Sequence, residues 1–141
     1  MNNRVSLRTE HFELTLAPNT EQVAVMISLE PSRSPVAASP MGMMLFTPAG
    51  ARSLATALRQ VVAAPEDEPC MASVPDRCCA AVVEPSPFDE GVLITASAHP
   101  PHANGWRGLT LHVPLDAQDA VRLAMLLDDV ALLADQVGGV A

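Results

Sequence analysis

The stretch that most limits what this chain can become is LTLHVPLDAQDAVRLAMLLDDVALLADQV, residues 109–137. Leu109, Leu111 and Val113 alternate with Thr110 and His112, the period of a half-buried strand. Pro114 is expected to end that ladder. Asp116 then stands where a helix N-cap belongs, and Asp119 lies near the positive end of the helix dipole. The spacing predicts a helix of about twenty residues beyond it. Its polar positions are few: a row of Gln118, Arg122, Asp129 and Gln136, with Asp119, Asp128 and Asp135 beside it. A helix so apolar must be covered on more than one side, by the chain's own sheet and, we expect, by a partner.

The rest of the chain supplies that sheet. Phe12, Leu14 and Leu16 alternate with Glu13 and Thr15, and, across the turn at Pro18-Asn19, Val23, Val25, Ile27 and Leu29 alternate with Gln22, Ala24, Met26 and Ser28. A shorter strand through Val5 and Leu7 precedes them. The apolar parity switches between Leu7 and Phe12, which predicts a bulge or break near residues 9–11. Residues 31–40 form a proline-rich loop, and Met41 to Thr47 an apolar strand. Thr47-Pro48 opens a first helix, with Ala51, Leu54, Ala55, Leu58, Val61 and Val62 inward and Arg52, Thr56, Arg59 and Gln60 outward. Residues 64–75, acidic and bounded by prolines, are read as a linker. Strands follow over Arg77–Val83, Val92–Ala98 and Trp106–Val113, the first two separated by the turn cluster PSPFDEG.

The expected fold is therefore α+β: tandem βββα units, an antiparallel sheet with two helices packed on one side. The chain reads as a single domain of 141 residues, with halves 1–63 and 76–137 around the linker 64–75. The junctions LFTPAGARSLATALRQV and LHVPLDAQDAVRLAMLL resemble each other, which suggests an internal duplication.

Charge is unevenly divided. Residues 1–62 hold five Arg and four acids, and residues 63–141 three Arg and twelve acids, so the halves carry +1 and −9 of the −8 total. There is no Lys and no Tyr, and the large aromatics are Phe12, Phe46, Phe88 and Trp106. This usage points to a GC-rich bacterial or phage genome. So few cations and aromatic rings argue against gripping phosphates or stacking bases, and we expect no direct nucleic-acid binding. The N-terminus shows no signal-peptide pattern and no run is long and apolar enough to span a membrane, so a cytoplasmic location is expected.

Chemistry-bearing clusters are weak. Cys78, Cys79, His99 and His102 are zinc-type ligands, but adjacent strand cysteines point to opposite faces, and the histidine pair has no C-x-x-C partner. No metal or cofactor is expected. Cys70 completes an odd number of cysteines, a poor basis for a disulfide framework. No nucleophile elbow or Gly-rich phosphate loop is present, so no catalytic residue is assigned. Met26, Met41, Met43, Met44 and Met125 are read as core filling.

These readings combine into a small, acidic, non-enzymatic protein-binding module. The expected partner is a protein with a basic surface, the module acting as an accessory or inhibitor protein of a nucleic-acid-binding host complex. Glu66, Asp67, Glu68, Asp89, Glu90, Trp106 and Arg107 are its candidate partner-binding residues. Leu123, Leu126, Val130 and Leu133 are the candidate seam of a homodimer. The alternative is a small-molecule-binding protein or enzyme with a pocket near His99, His102 and Trp106.

Overall fold

The computed structural model describes residues 4–9, 12–19, 22–29, 40–65, 67–76, 79–86, 91–98 and 110–139. Its elements are β1 (Val5–Arg8), β2 (Phe12–Asn19), β3 (Gln22–Leu29), β4 (Pro40–Phe46), α1 (Pro48–Ala63), β5 (Ala72–Val74), β6 (Cys79–Pro85), β7 (Gly91–Ala98), β8 (Thr110–Asp116) and α2 (Ala117–Gly139). They build an α+β fold with two antiparallel four-stranded sheets, β1-β2-β3-β4 and β5-β6-β7-β8, each followed by a helix.

The expected α+β repeat of strands followed by a helix is present, each unit having a fourth strand and the strands dividing into two sheets. The short strand through Val5 and Leu7 is a full member of the first sheet, pairing Leu7 with Leu14 and Arg8 with Glu13. The parity switch has a simple cause. Partners in this hairpin have opposite parity, so reversing the chain direction moves the inward set from odd to even positions. In the second unit the fourth strand is β5, which occupies the end of the expected linker and pairs Ser73 with Val82. Pro114 does not end its ladder: β8 continues to Asp116 and matches Pro114 to Leu93. β8 lies at the edge of its sheet, where a missing N–H can face away from the ladder.

Helix ends follow local chemistry. The Thr47 hydroxyl accepts from the Gly50 N–H at 3.0 Å, Pro48 fills the first turn, and Ala64 closes α1. Asp76 adds a clamp from the strand side, accepting from the Thr47 hydroxyl at 2.6 Å and the Thr47 N–H at 3.2 Å. At α2, the Asp116 carboxylate accepts from the Asp119 N–H at 2.7 Å, the cap its sequence implies.

The helices are exchanged between the units. α1 leaves the first sheet and packs chiefly on β5, β6 and β7, while α2 leaves the second and packs chiefly on β1, β2 and β3. The two helices also lie against each other. Leu7, Leu14, Leu16, Val23, Val25, Met44 and Phe46 therefore share one core with Val83, Val92, Ile94, Val113, Leu54, Leu58, Leu123 and Leu127.

α2 is less uniformly covered than its composition suggests. Ala120, Leu123, Ala124, Leu127, Val130, Ala131 and Ala134 form its buried arc, whereas Val121, Met125 and Leu132 are exposed. Two of the four expected seam residues, Leu123 and Val130, are thus inside this chain's own core, and Leu126 and Leu133 are half-buried. Met44 fills the core as expected, but Met125, 57% exposed, does not. Among the described residues, no helix is long and apolar enough to cross a membrane.

Candidate nucleic-acid interface

Both helices occupy the inner sides of the sheets, so the outward-facing residues of each strand are not covered by them. On the first sheet these include Ser6 opposite Thr15, Ala17 opposite Ala24, and Arg8 opposite Glu13. The positions that alternate with the core set on β1, β2 and β3 include Ser6, Arg8, Glu13, Thr15, Ala17, Gln22 and Ala24, and Ala24 is matched in turn to Leu45 of β4. Its described cations lie on or beside β1: Arg4, and Arg8, whose side chain is 65% exposed and 3.4 Å from Glu13.

The outer face of the second sheet carries the row Ser73, Val82, Thr95 and His112, with the Thr95 hydroxyl 3.3 Å from His112 Nδ1. Its end is acidic, with Glu84 on β6 and Asp116 on β8. Of the two sheets, the first presents the face better suited to a polyanion.

Part of the negative charge of the second half is matched by arginines. Arg59 of α1 reaches Asp128 at 2.7 Å, Arg52 meets Asp135, and Arg122 lies 3.7 Å from Asp119. Three of the helix carboxylates are therefore matched by guanidinium groups. Asp67 and Glu68 are exposed, before β5. Glu66, Asp89, Glu90, Trp106 and Arg107 lie outside the described residues, as do Cys78, His99 and His102. Of the four residues of zinc-ligand type, Cys79 alone is among the described residues, and it is buried.

Asp119 is the described group with a resolved titration shift. Burial raises its carboxyl above the usual carboxylate range, the nearby Asp116 charge adds to the rise, and Arg122 opposes it. The folded chain therefore holds the Asp119 proton more tightly than the unfolded chain, a penalty on folding at neutral pH that is relieved as pH falls through the raised value. Asp119→Asn is expected to be the more stable protein at pH 7 and to lose that advantage progressively in acid. Urea denaturation of both proteins from pH 7 to pH 3 measures this; a constant difference across the range would refute it.

No protein-family model matches the chain, and no curated protein sequence does. Solved structures do. MRP1/MRP2 of Trypanosoma bruciei align at a TM-score of 0.59 with 12% identity, covering 96% of this chain and 87% of that one. A guide-RNA-binding protein complex bound to a gRNA aligns at 0.58 with 11% identity, covering 98% of this chain and 94% of that one. The likeness is one of fold.

It nevertheless corrects the functional expectation. The inhibitor reading, with a basic protein as partner and no direct nucleic-acid contact, rested on total charge and missing aromatics. A protein complex of this architecture is bound to a guide RNA. Charge summed over half a chain is a poor guide here because Asp128 and Asp135 of α2 are paired with arginines of α1, away from the outer sheet faces. The signal available in the sequence is the alternation itself: Ser6 and Thr15 face away from an apolar set, on strands flanked by Arg4 and Arg8.

Proposed function

We propose that this protein binds single-stranded nucleic acid, RNA foremost, across the outer face of its first sheet. The observation that carries the reading is the shared architecture, over nearly the full length of both chains, with a complex bound to a gRNA. The chemistry of the face supports it. Ser6 and Thr15 can hydrogen-bond to base edges and 2′-hydroxyls, and Arg4 and Arg8 can meet the backbone. With so few cations, contacts to the bases must supply much of the affinity, and a duplex hides its base edges.

Polarisation of a labelled single-stranded RNA, with the matching duplex as control, tests this. Saturable binding with preference for the single strand is expected, and no saturable binding to the RNA would overturn the reading. Two phosphate contacts on a single strand correspond to a log–log salt slope of about −1.4, or about a sevenfold loss of affinity between 50 and 200 mM salt. Arg8→Gln is expected to reduce that slope to about −0.7. An unchanged slope would remove Arg8 from the interface.

A further inference from the structure

A cleft of about 320 Å3 opens between the outward flank of α1 and β5, the outer strand of the second sheet. α1 lines it with Arg52, Ser53, Thr56 and Gln60, and β5 contributes Ser73. Ala57 and Ala72 give it a small apolar floor. In a chain of net charge −8, no carboxylate is among these lining residues.

The groups are also ordered along the cleft. Arg52 and Gln60 are eight residues apart on one helix, about 12 Å along its axis, with Ser53 and Thr56 between them in the sequence. One end carries the guanidinium of the Arg52–Asp135 ion pair, and the middle offers the hydroxyls of Ser53 and Thr56. The other end offers an amide, which can donate and accept at once. Asp135 of α2 contacts the Arg52 guanidinium and holds it in place.

We propose that this cleft binds one nucleoside 5′-monophosphate unit, free or within a strand. The phosphate meets Arg52, the ribose hydroxyls lie beside Ser53 and Thr56, and the base edge faces Gln60. A carboxamide pairs with the adjacent donor and acceptor of adenine, so adenine is the base it favours. Asp135 positions Arg52 but also shares its charge, which limits affinity. The proposal is independent of the sheet-face reading, because the two sites have no residue in common.

The test is a backbone amide NMR titration of the full-length protein with AMP, adenosine and inorganic phosphate. AMP is expected to shift amides of residues 52–60 and 72–73 saturably, with adenosine and phosphate each binding about tenfold more weakly. Arg52→Gln and Gln60→Ala are expected to weaken AMP about fivefold each, and Asp135→Asn to tighten it a few-fold. The same spectra show whether each variant remains folded. Arg8→Gln should leave AMP binding unchanged while altering RNA binding, which separates the two sites. An RNA oligonucleotide that also loses affinity through Arg52→Gln assigns the cleft to a strand; one that does not assigns it to the free nucleotide. Absence of saturable AMP shifts in these segments overturns the proposal. So does inorganic phosphate that reproduces the whole pattern, because Gln60 then reads no base.

Discussion

Divided after Asp67 and expressed as two pieces, this chain should give two fragments that do not fold alone and regain structure when mixed. The helix exchange requires it. The first fragment would keep β1 to β4 and α1 but lose α2, the helix that covers β1, β2 and β3. Leu7, Leu14, Leu16, Val23 and Val25, all fully buried in the intact chain, would face water on one side of an open sheet. Leu123, Leu127 and Val130 alone contribute about 1.5–3 kcal/mol each through burial. Their combined loss, about 4.5–9 kcal/mol, is comparable with the whole stability of a domain. The second fragment fails for the reciprocal reason, since α1 covers β5, β6 and β7. Circular dichroism with urea titration on each fragment and on the mixture makes the measurement. A first fragment that unfolds cooperatively near the midpoint of the intact protein would show that the exchanged helix is not required.

Much of this architecture is local and therefore legible from residue order. Thr47-Pro48 sets the start of α1, Asp116 that of α2, and alternation places Leu14, Leu16, Val23 and Val25 inward. What residue order does not carry is which surface an apolar arc meets. The periodicity of α2 identifies Leu123, Leu127 and Val130 as apolar, but the sheet they cover precedes the helix by about a hundred residues and belongs to the other unit. β5 is invisible for another reason. It has three residues with Ser73 in the middle, inside an acidic, proline-bounded segment, and its strand character comes from the pairing with Ala81, Val82 and Val83.

The candidate interface was hidden by the same kind of non-local fact. Arg59 and Asp128 are 69 positions apart, and Arg52 and Asp135 are 83 apart, yet they meet between α1 and α2. Net charge by segment counts those acids as available when they are already matched. Such exposed pairs contribute little to stability, about 0–1 kcal/mol each, but they change which surface of the molecule can attract a polyanion.

Gly91→Ala should be far more damaging than the same added methyl at Gly50. Gly91 pairs with Asp116 across β7 and β8. A Cβ at this position would overlap the Leu115 carbonyl oxygen and lie 3.0 Å from the Asp116 Cα. Both are backbone atoms, so no side-chain rotation relieves the clash; β8 itself must move. Its end is doubly committed, with Leu115 buried in the core and Asp116 capping α2 through the 2.7 Å bond to the Asp119 N–H. Displacing that corner disturbs the ladder, the cap and the entry of the exchanged helix together. The expected cost is about 3 kcal/mol, a fall in melting temperature on the order of 10 °C. Gly50→Ala is the control. There the new Cβ would overlap the Asp76 carboxylate, a side-chain end that can swing aside. The loss of the Asp76 bonds to Thr47 is then partly offset by the roughly 1 kcal/mol that alanine gains over glycine in a helix. Gly50→Ala should therefore melt within a few degrees of the parent protein, on the order of a third of the Gly91→Ala shift. Equal shifts for the two variants would mean that β8 yields as easily as a carboxylate, and that the corner holding α2 is not rigid.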